Sequence, residues 1–153
     1  MRDLISEAYR LQNRELHATS MDYGTSGQKH RAIVERYMAG TALDYGCGKA
    51  TLGLPNAYDP AIPGLDSPPA PADLVVCTDV LEHVEPEFLD NVLDDLRRVT
   101  RNVLLVAVST VPAKKFLPDG RNAHLIVKPL DWWEAKLATR FVVEREDGVF
   151  VCR

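Results

Sequence analysis

No apolar run in the 153-residue sequence approaches the ~20 residues that a bilayer-spanning helix requires. The first residues also lack the charged-then-apolar pattern of an export signal. No membrane is expected, and the cytoplasm is the expected location. Cysteine is scarce: Cys47, Cys77 and Cys152 show neither the spacing of a disulfide framework nor that of metal ligands. Reduced thiols and no bound metal are expected. A basic excess is missing too, the net charge being −4. Proteins held to nucleic acid by phosphate contacts carry a basic footprint, so a nucleic-acid partner is disfavoured. Arg97-Arg98 and Lys114-Lys115 read as solvated faces. A P-loop is excluded, because Gly48-Lys49 is followed by Ala50 and has no upstream glycine at the required spacing.

What is present is an ordinary globular composition, 46% hydrophobic and 26% charged, in a length that suits one domain. Residues 1–40 read as a helical cap. Leu4, Ile5, Ala8, Leu11 and Leu16 lie close to helical spacing over residues 2–17, and Tyr23-Gly24-Thr25-Ser26-Gly27 breaks the pattern. Thr25 or Ser26 is placed to cap a second helix with Ile33, Val34, Tyr37 and Met38 inward and Gly40 as its stop. A short apolar strand, Ala42 to Tyr45, then runs into Gly46-Cys47-Gly48. A glycine turn at the carboxyl end of a strand lets a ligand approach the backbone, because no Cβ intervenes. Asp59, at the end of the next short strand, is placed to accept hydrogen bonds from a ribose. Together these features indicate a nucleoside ligand.

Between these strands Gly53 and Pro55 leave room for barely one helical turn, and Pro60, Pro63, Pro68, Pro69 and Pro71 exclude a ladder strand further on. Leu74 to Cys77 is a continuous apolar run, as in a strand covered on both faces. Pro86 opens a helix to about Arg98, with Phe88, Leu89, Val92, Leu93 and Leu96 inward, and residues 102–108 form the next strand. Two strands joined by one helix make a right-handed unit and a parallel sheet. Residues 109–129 show little periodicity around the turn Pro118-Asp119-Gly120. Asp131 is expected to cap a helix holding Trp132, Trp133 and Leu137, and residues 141–143 and 149–151 flank the hairpin turn Asp147-Gly148. The expected fold is one α/β domain, a mostly parallel sheet with an antiparallel C-terminal hairpin, its first crossover helix reduced and its third strand missing.

Leu43-Asp44-Tyr45-Gly46-Cys47-Gly48 resembles the first motif of the class I S-adenosylmethionine-dependent methyltransferases. Asp73 to Val84, with Asp79-Val80-Leu81-Glu82-His83 at its end, resembles the strand and turn that complete the cofactor site in small, type 11-like members. One departure is Ala50, where the fuller motif has a third glycine. The resemblance implies a Rossmann-like methyltransferase fold, S-adenosylmethionine as cofactor, and methyl transfer to an unidentified small-molecule acceptor. Carried onto this chain, it implies that Tyr23 (and, as a weaker candidate, Lys29) touches the cofactor and that Asp44 orders the glycine turn. Gly46, Cys47 and Gly48 would face the amino-acid end, Asp59 the ribose and Asp66 the adenine amino group. Asp79, Val80 and Leu81 would line the methionine end and the acceptor pocket, with Asp79 and His124 as the catalytic candidates. His124 is the first choice for a base; Asn122 and Arg121 follow. Glu82-His83 reads as orienting structure, with an acid–base pair as the alternative. Two other readings compete. One is a non-catalytic nucleoside-binding or partner protein, with a homodimer covering sheet left open by the missing helix. The other is a nicotinamide enzyme, against which Thr51 stands where that fold wants glycine or alanine.

Overall fold

The computed structural model describes residues 3–153. Six strands form one sheet, β1 (Ala42–Tyr45), β2 (Asn56–Tyr58), β3 (Ala72–Thr78), β4 (Thr100–Ala107), β5 (Val143–Glu146) and β6 (Val149–Cys152), in the order β2-β1-β3-β4-β6-β5. The first four are parallel; β6 runs antiparallel to β4, and β5 antiparallel to β6. The β3 run is covered on both faces, and Leu74, Val75, Val76 and Cys77 are each no more than 1% exposed. The hairpin turns on Asp147 and Gly148, both with positive φ (48° and 80°). That geometry matches the twist of the flanking strands. The first hairpin strand begins at Val143 rather than at residue 141, because Phe141 turns inward and is buried in the core.

Two helices, α3 (Leu89–Val99) and α4 (Leu130–Leu137), cover one face of the sheet. Leu93, Leu96, Trp133 and Leu137 pack there with Leu43, Val75, Leu104, Val106 and Phe150. The opposite face is covered by the seven-residue α2 (Arg31–Tyr37), whose Ile33 and Val34 meet Ala42, Leu74, Val76, Leu105 and Val151. The 13-residue α1 (Glu7–Thr19) precedes it. Helix α1 starts at Glu7 because the Ser6 hydroxyl accepts the Tyr9 amide at 3.1 Å. Leu4 and Ile5 therefore precede the helix, and Arg2 lies outside the described residues.

Several local expectations are corrected. Thr25 makes no capping bond, since its hydroxyl donates to the Asp22 carbonyl at 2.6 Å, and a 3-10 turn (Ser26–His30) leads into α2. Met38 is exposed, and α2 ends at Tyr37, before Gly40 is reached. Asp131 is not a cap: Pro129 holds that position, and Asp131 sits in the first turn paired with Arg145 at 2.5 Å.

The segment between β1 and β2 contains no helix, although parallel neighbours are usually joined by one. Instead the chain descends by tight turns, the Ala50 amide donating to the Cys47 carbonyl and the Gly53 amide to the Ala50 carbonyl. Beyond β2 the proline-rich stretch also makes turns, from Asp59 to Ile62 and from Ile62 to Leu65, and adds no strand. The sheet nevertheless stays covered. Leu52 (3% exposed) enters the α2-side cluster, and Ala42, Leu74 and Val76 are at most 1% exposed. Among the described residues the open sheet that suggested a second subunit is not found.

Trp133 is fully buried at the centre of the larger cluster. Trp133→Ala should cost about 3–5 kcal/mol in urea unfolding, as large-to-small changes in well-packed cores do. A cost below 1 kcal/mol would show that α4 is not integral to the core.

Candidate functional site

A cavity of about 470 Å³ opens at the carboxyl ends of β1, β2 and β3, where Tyr45, Gly46, Gly48, Asp59, Asp79 and Val80 form its floor. This is the edge on which doubly wound sheets take their ligands. Gly46 and Gly48 both have positive φ (74° and 51°). Their missing side chains matter for a second reason. A Cβ on Gly46 would stand 2.5 Å from the Val80 side chain, and one on Gly48 would stand 2.7 Å from the Gly24 backbone. The glycine turn is therefore pressed against the chain itself, with the Lys49 amide donating to the Gly24 carbonyl at 2.9 Å.

Asp59 is held by that turn. Its carboxylate accepts the Gly48 amide at 3.0 Å and the Ala61 amide at 2.9 Å, and it is only 8% exposed at the cavity wall. A carboxylate has about four acceptor sites, so two backbone donors leave capacity for a ligand. Asp44 lies behind the turn rather than on the cavity surface. Burial, with the Asp59 charge added, pushes its carboxyl up to about 6. Cys47 is buried beside it, its thiol pushed up to about 12 by burial and by the Asp59 and Asp44 charges, so it is no nucleophile.

The second turn, after β3, carries Asp79 in the left-handed region (φ 56°), with its amide donating to the Ala107 carbonyl at 2.9 Å. Burial alone would raise the Asp79 carboxyl. His30, Lys29 and Ser26 outweigh it and hold the group at about 2. Lys29 Nζ lies 3.0 Å and His30 Nε2 3.4 Å from Asp79 Oδ2. Lys29 thus serves Asp79, and the Asp79 anion ties the approach to α2 onto the β3 turn. Val80 lines the cavity, while Leu81 is fully buried core.

Glu82 is also fully buried: one oxygen accepts the Ser109 amide at 2.8 Å and the other has no partner. Burial pushes it up to about 7. His83 donates from Nδ1 to the Ala123 carbonyl at 2.8 Å, and burial, then His124, depress it to about 4. His124 lines the same cavity from the loop after β4. Its ring sits 4.7 Å from that of His83 in edge-to-face contact, and its Nδ1 donates to the Val111 carbonyl at 2.6 Å. Because a carbonyl only accepts, each ring keeps Nε2 as its basic nitrogen.

The N-terminal arm roofs the cavity. Both carboxylate oxygens of the buried Glu85 take Ser6, by its amide at 2.8 Å and its hydroxyl at 2.7 Å. The Tyr9 hydroxyl donates to the His83 carbonyl, and the Tyr23 hydroxyl to Asn13 at 3.0 Å. Tyr23 packs between His17 and His83 (ring centroids 4.6 and 5.8 Å). Lys49 clamps the end of α1 through the His17 and Ser20 carbonyls, both at 2.8 Å. Tyr9, Asn13, His17 and Glu85 all line the cavity and were missed in the sequence. Only tertiary packing brings α1 over the glycine turn, so spacing carried no signal for them.

Three other candidates stand apart from the cavity lining. Asp66 is exposed and accepts the Gly64 amide at 3.2 Å. Arg121 pairs with Asp119 at 2.8 Å and stacks over Tyr9. Asn122 braces the loop, its side chain bonding both the amide and the carbonyl of Ala113 at 2.9 Å. Its carbonyl oxygen also accepts the His124 amide at 2.9 Å, so Asn122 positions His124 instead of facing the cavity.

No protein-family model matches the chain, and comparison with the curated proteins finds no match. Solved structures do match. The PH0226 protein from Pyrococcus horikoshii OT3 superposes with a TM-score of 0.60 at 16% identity, over 97% of both chains. DhpI, solved as a complex with SAM and HEP, matches with a TM-score of 0.53 at 22% identity, over 95% of this chain and 94% of its own. An O-methyltransferase family protein from Burkholderia thailandensis matches with a TM-score of 0.57 at 11% identity, over 94% of this chain and 63% of its own. The chain has the Rossmann-like fold of the class I methyltransferases, as the motifs implied.

Two outcomes test the site's construction. Gly48→Ala should cost at least about 1 kcal/mol more than Gly53→Ala in urea unfolding. Both positions have positive φ, but only Gly48 meets backbone where a Cβ would stand. Asp44 has a carboxyl raised in the folded state, so its protonated form favours folding. That contribution is complete below pH ~4 and is lost as pH rises through about 6. Asp44→Asn should remove this slope and stabilise the protein at pH 7 by up to about 2–3 kcal/mol. An unchanged slope in the variant would refute the assignment.

Proposed function

We propose that this protein is an S-adenosylmethionine-dependent methyltransferase acting on a small-molecule acceptor. The observation that carries the reading is the cavity at the strand ends, walled by the Gly46–Gly48 turn and by Asp59 with free acceptor capacity. The complex of the similarly folded DhpI with SAM supports the choice of cofactor. The residues present suit that group. Asp59 offers acceptor sites for two ribose hydroxyls, each charge-assisted bond worth about 1.5–3 kcal/mol. His17 presents a buried Nδ1 without a partner at the cavity wall. Tyr23 supplies an aromatic face above the turn, its hydroxyl already satisfied by Asn13.

When bound, the cofactor supplies a methyl group made electrophilic by its sulfonium. The chain's work is then to align donor and acceptor, an effect worth roughly 7–11 kcal/mol of barrier. Tyr9, Asn13 and His17 of α1 line one wall of the cavity. Asp79 is an anion paired to Lys29 and His30, so its part is to anchor the turn and not to move a proton. His124 is the base for an acceptor that must lose a proton, because Nε2 is free and the ring lines the cavity. The floor of the cavity takes the cofactor, and the His83–His124 end takes the acceptor. Both sit in a space lined in part by the chain's own N-terminal arm.

Calorimetric titration with S-adenosylhomocysteine tests the reading. The wild type should bind in the micromolar range, and Asp59→Ala should weaken binding at least ~10-fold, with circular dichroism verifying the fold. A folded wild type that takes up no S-adenosylhomocysteine would sink it.

A further inference from the structure

We propose that Glu82, His83 and His124 form a binding site for one first-row divalent transition-metal ion at the acceptor end of the cavity. Each of the three offers one ligand atom, and these atoms lie within 4.8 Å of one another. Both histidines are oriented as metal-binding imidazoles are. Nδ1–H of His83 is fixed on the Ala123 carbonyl at 2.8 Å and that of His124 on the Val111 carbonyl at 2.6 Å, so both rings keep Nε2. A backbone carbonyl on the far nitrogen is the usual means of setting the tautomer and direction of a metal-binding histidine. Glu82 is the independent observation. It is 0% exposed, one oxygen holds the Ser109 amide, and the other is buried with no partner. A buried carboxylate oxygen left unpaired is costly unless a proton or a cation completes it, and two imidazole nitrogens beside it favour a shared cation.

Two imidazole nitrogens and one carboxylate oxygen form a donor set that selects ions such as Zn²⁺, Mn²⁺, Fe²⁺ or Co²⁺ over Mg²⁺, which prefers oxygen. Ligand bonds of about 2.0–2.2 Å require the three atoms to draw in slightly, and His124, on a loop, can supply that movement. Sequence spacing gave no sign of this site. Glu82 and His83 are adjacent, but His124 arrives from the loop after β4, which only the fold brings back. Three protein ligands leave coordination positions open toward the cavity.

The consequence for chemistry rests on the proposed methyl transfer. The acceptor is then an oxygen nucleophile bound to the ion. With its Nε2 on the ion, His124 is a ligand and no longer the base; coordination makes the acceptor hydroxyl more acidic, and the proton passes to solvent. The oxygen attacks the methyl carbon, the carbon–sulfur bond breaks, and the electron pair stays on sulfur as a neutral thioether.

The experiment is calorimetric titration of chelator-treated protein with MnCl₂, ZnCl₂ and MgCl₂ separately, on wild type, Glu82→Gln and His124→Ala. S-adenosylhomocysteine is titrated in parallel. The expected result is one Mn²⁺ or Zn²⁺ per wild-type chain, Mg²⁺ weaker, and a ~10–100-fold loss of affinity in each variant. His124→Ala, altered on a loop, keeps the test informative if Glu82→Gln fails to fold. No saturable Mn²⁺ or Zn²⁺ binding, or binding that both substitutions leave unchanged, overturns the site. S-adenosylhomocysteine binding without metal binding removes the inference and leaves the methyltransferase reading standing. Metal binding that depends on His124, without S-adenosylhomocysteine binding, upholds the site and removes that reading.

Discussion

The backbone contact between Gly24 and Gly48 is what the rest of the site depends on. A Cβ on either residue would stand 2.6–2.7 Å from atoms of the N-terminal arm, His17 in one case and Gly24 in the other. Because both are glycines, the arm lies directly on the turn that ends β1. Lys49 then fastens it through the Gly24, His17 and Ser20 carbonyls. In this chain, with no helix between β1 and β2, the arm takes over part of what a crossover helix would do. It covers the cavity, while α2 and Leu52 cover the sheet.

Closing a cavity in this way leaves charges out of water, and three of them are answered locally. Asp59 takes two backbone amides, Asp79 takes Lys29 and His30, and Glu85 takes both donors of Ser6. These bonds join the arm, the glycine turn and the β3 turn into one unit. Glu82 differs from these three, with one oxygen satisfied and one not. Native interiors seldom leave such an atom unpaired. An unpaired carboxylate beside two histidines that both present Nε2 is therefore the most informative departure in the molecule.

Much of the fold was legible because its signals are local. The apolar run of β3, the Asp147-Gly148 turn and the proline-rich stretch after Asp59 each dictate backbone geometry from a few neighbouring residues. The expected parallel sheet with a terminal hairpin, a vestigial first crossover and a missing strand follows from them. Errors fell where local and tertiary demands compete. Asp131 has the chemistry of a cap, but Arg145 across the hairpin draws it away. Thr25 likewise satisfies Asp22 instead of the helix.

For the candidate site the division is sharper. The sequence by itself determined the floor: two glycines that need positive φ, Asp59 at the end of the next strand, and Val80 on the following turn. Those positions depend on strand ends and turns, which short-range sterics decide. Only the tertiary structure decided the roof and the far wall. Tyr9, Asn13 and His17 come from α1, Asp66 stays outside, and His124 returns across a long loop to meet His83 and Glu82. Side chains distant in sequence meet only after apolar burial has fixed the sheet and its helices. Their meeting is therefore a property of the packed core, which no local pattern encodes.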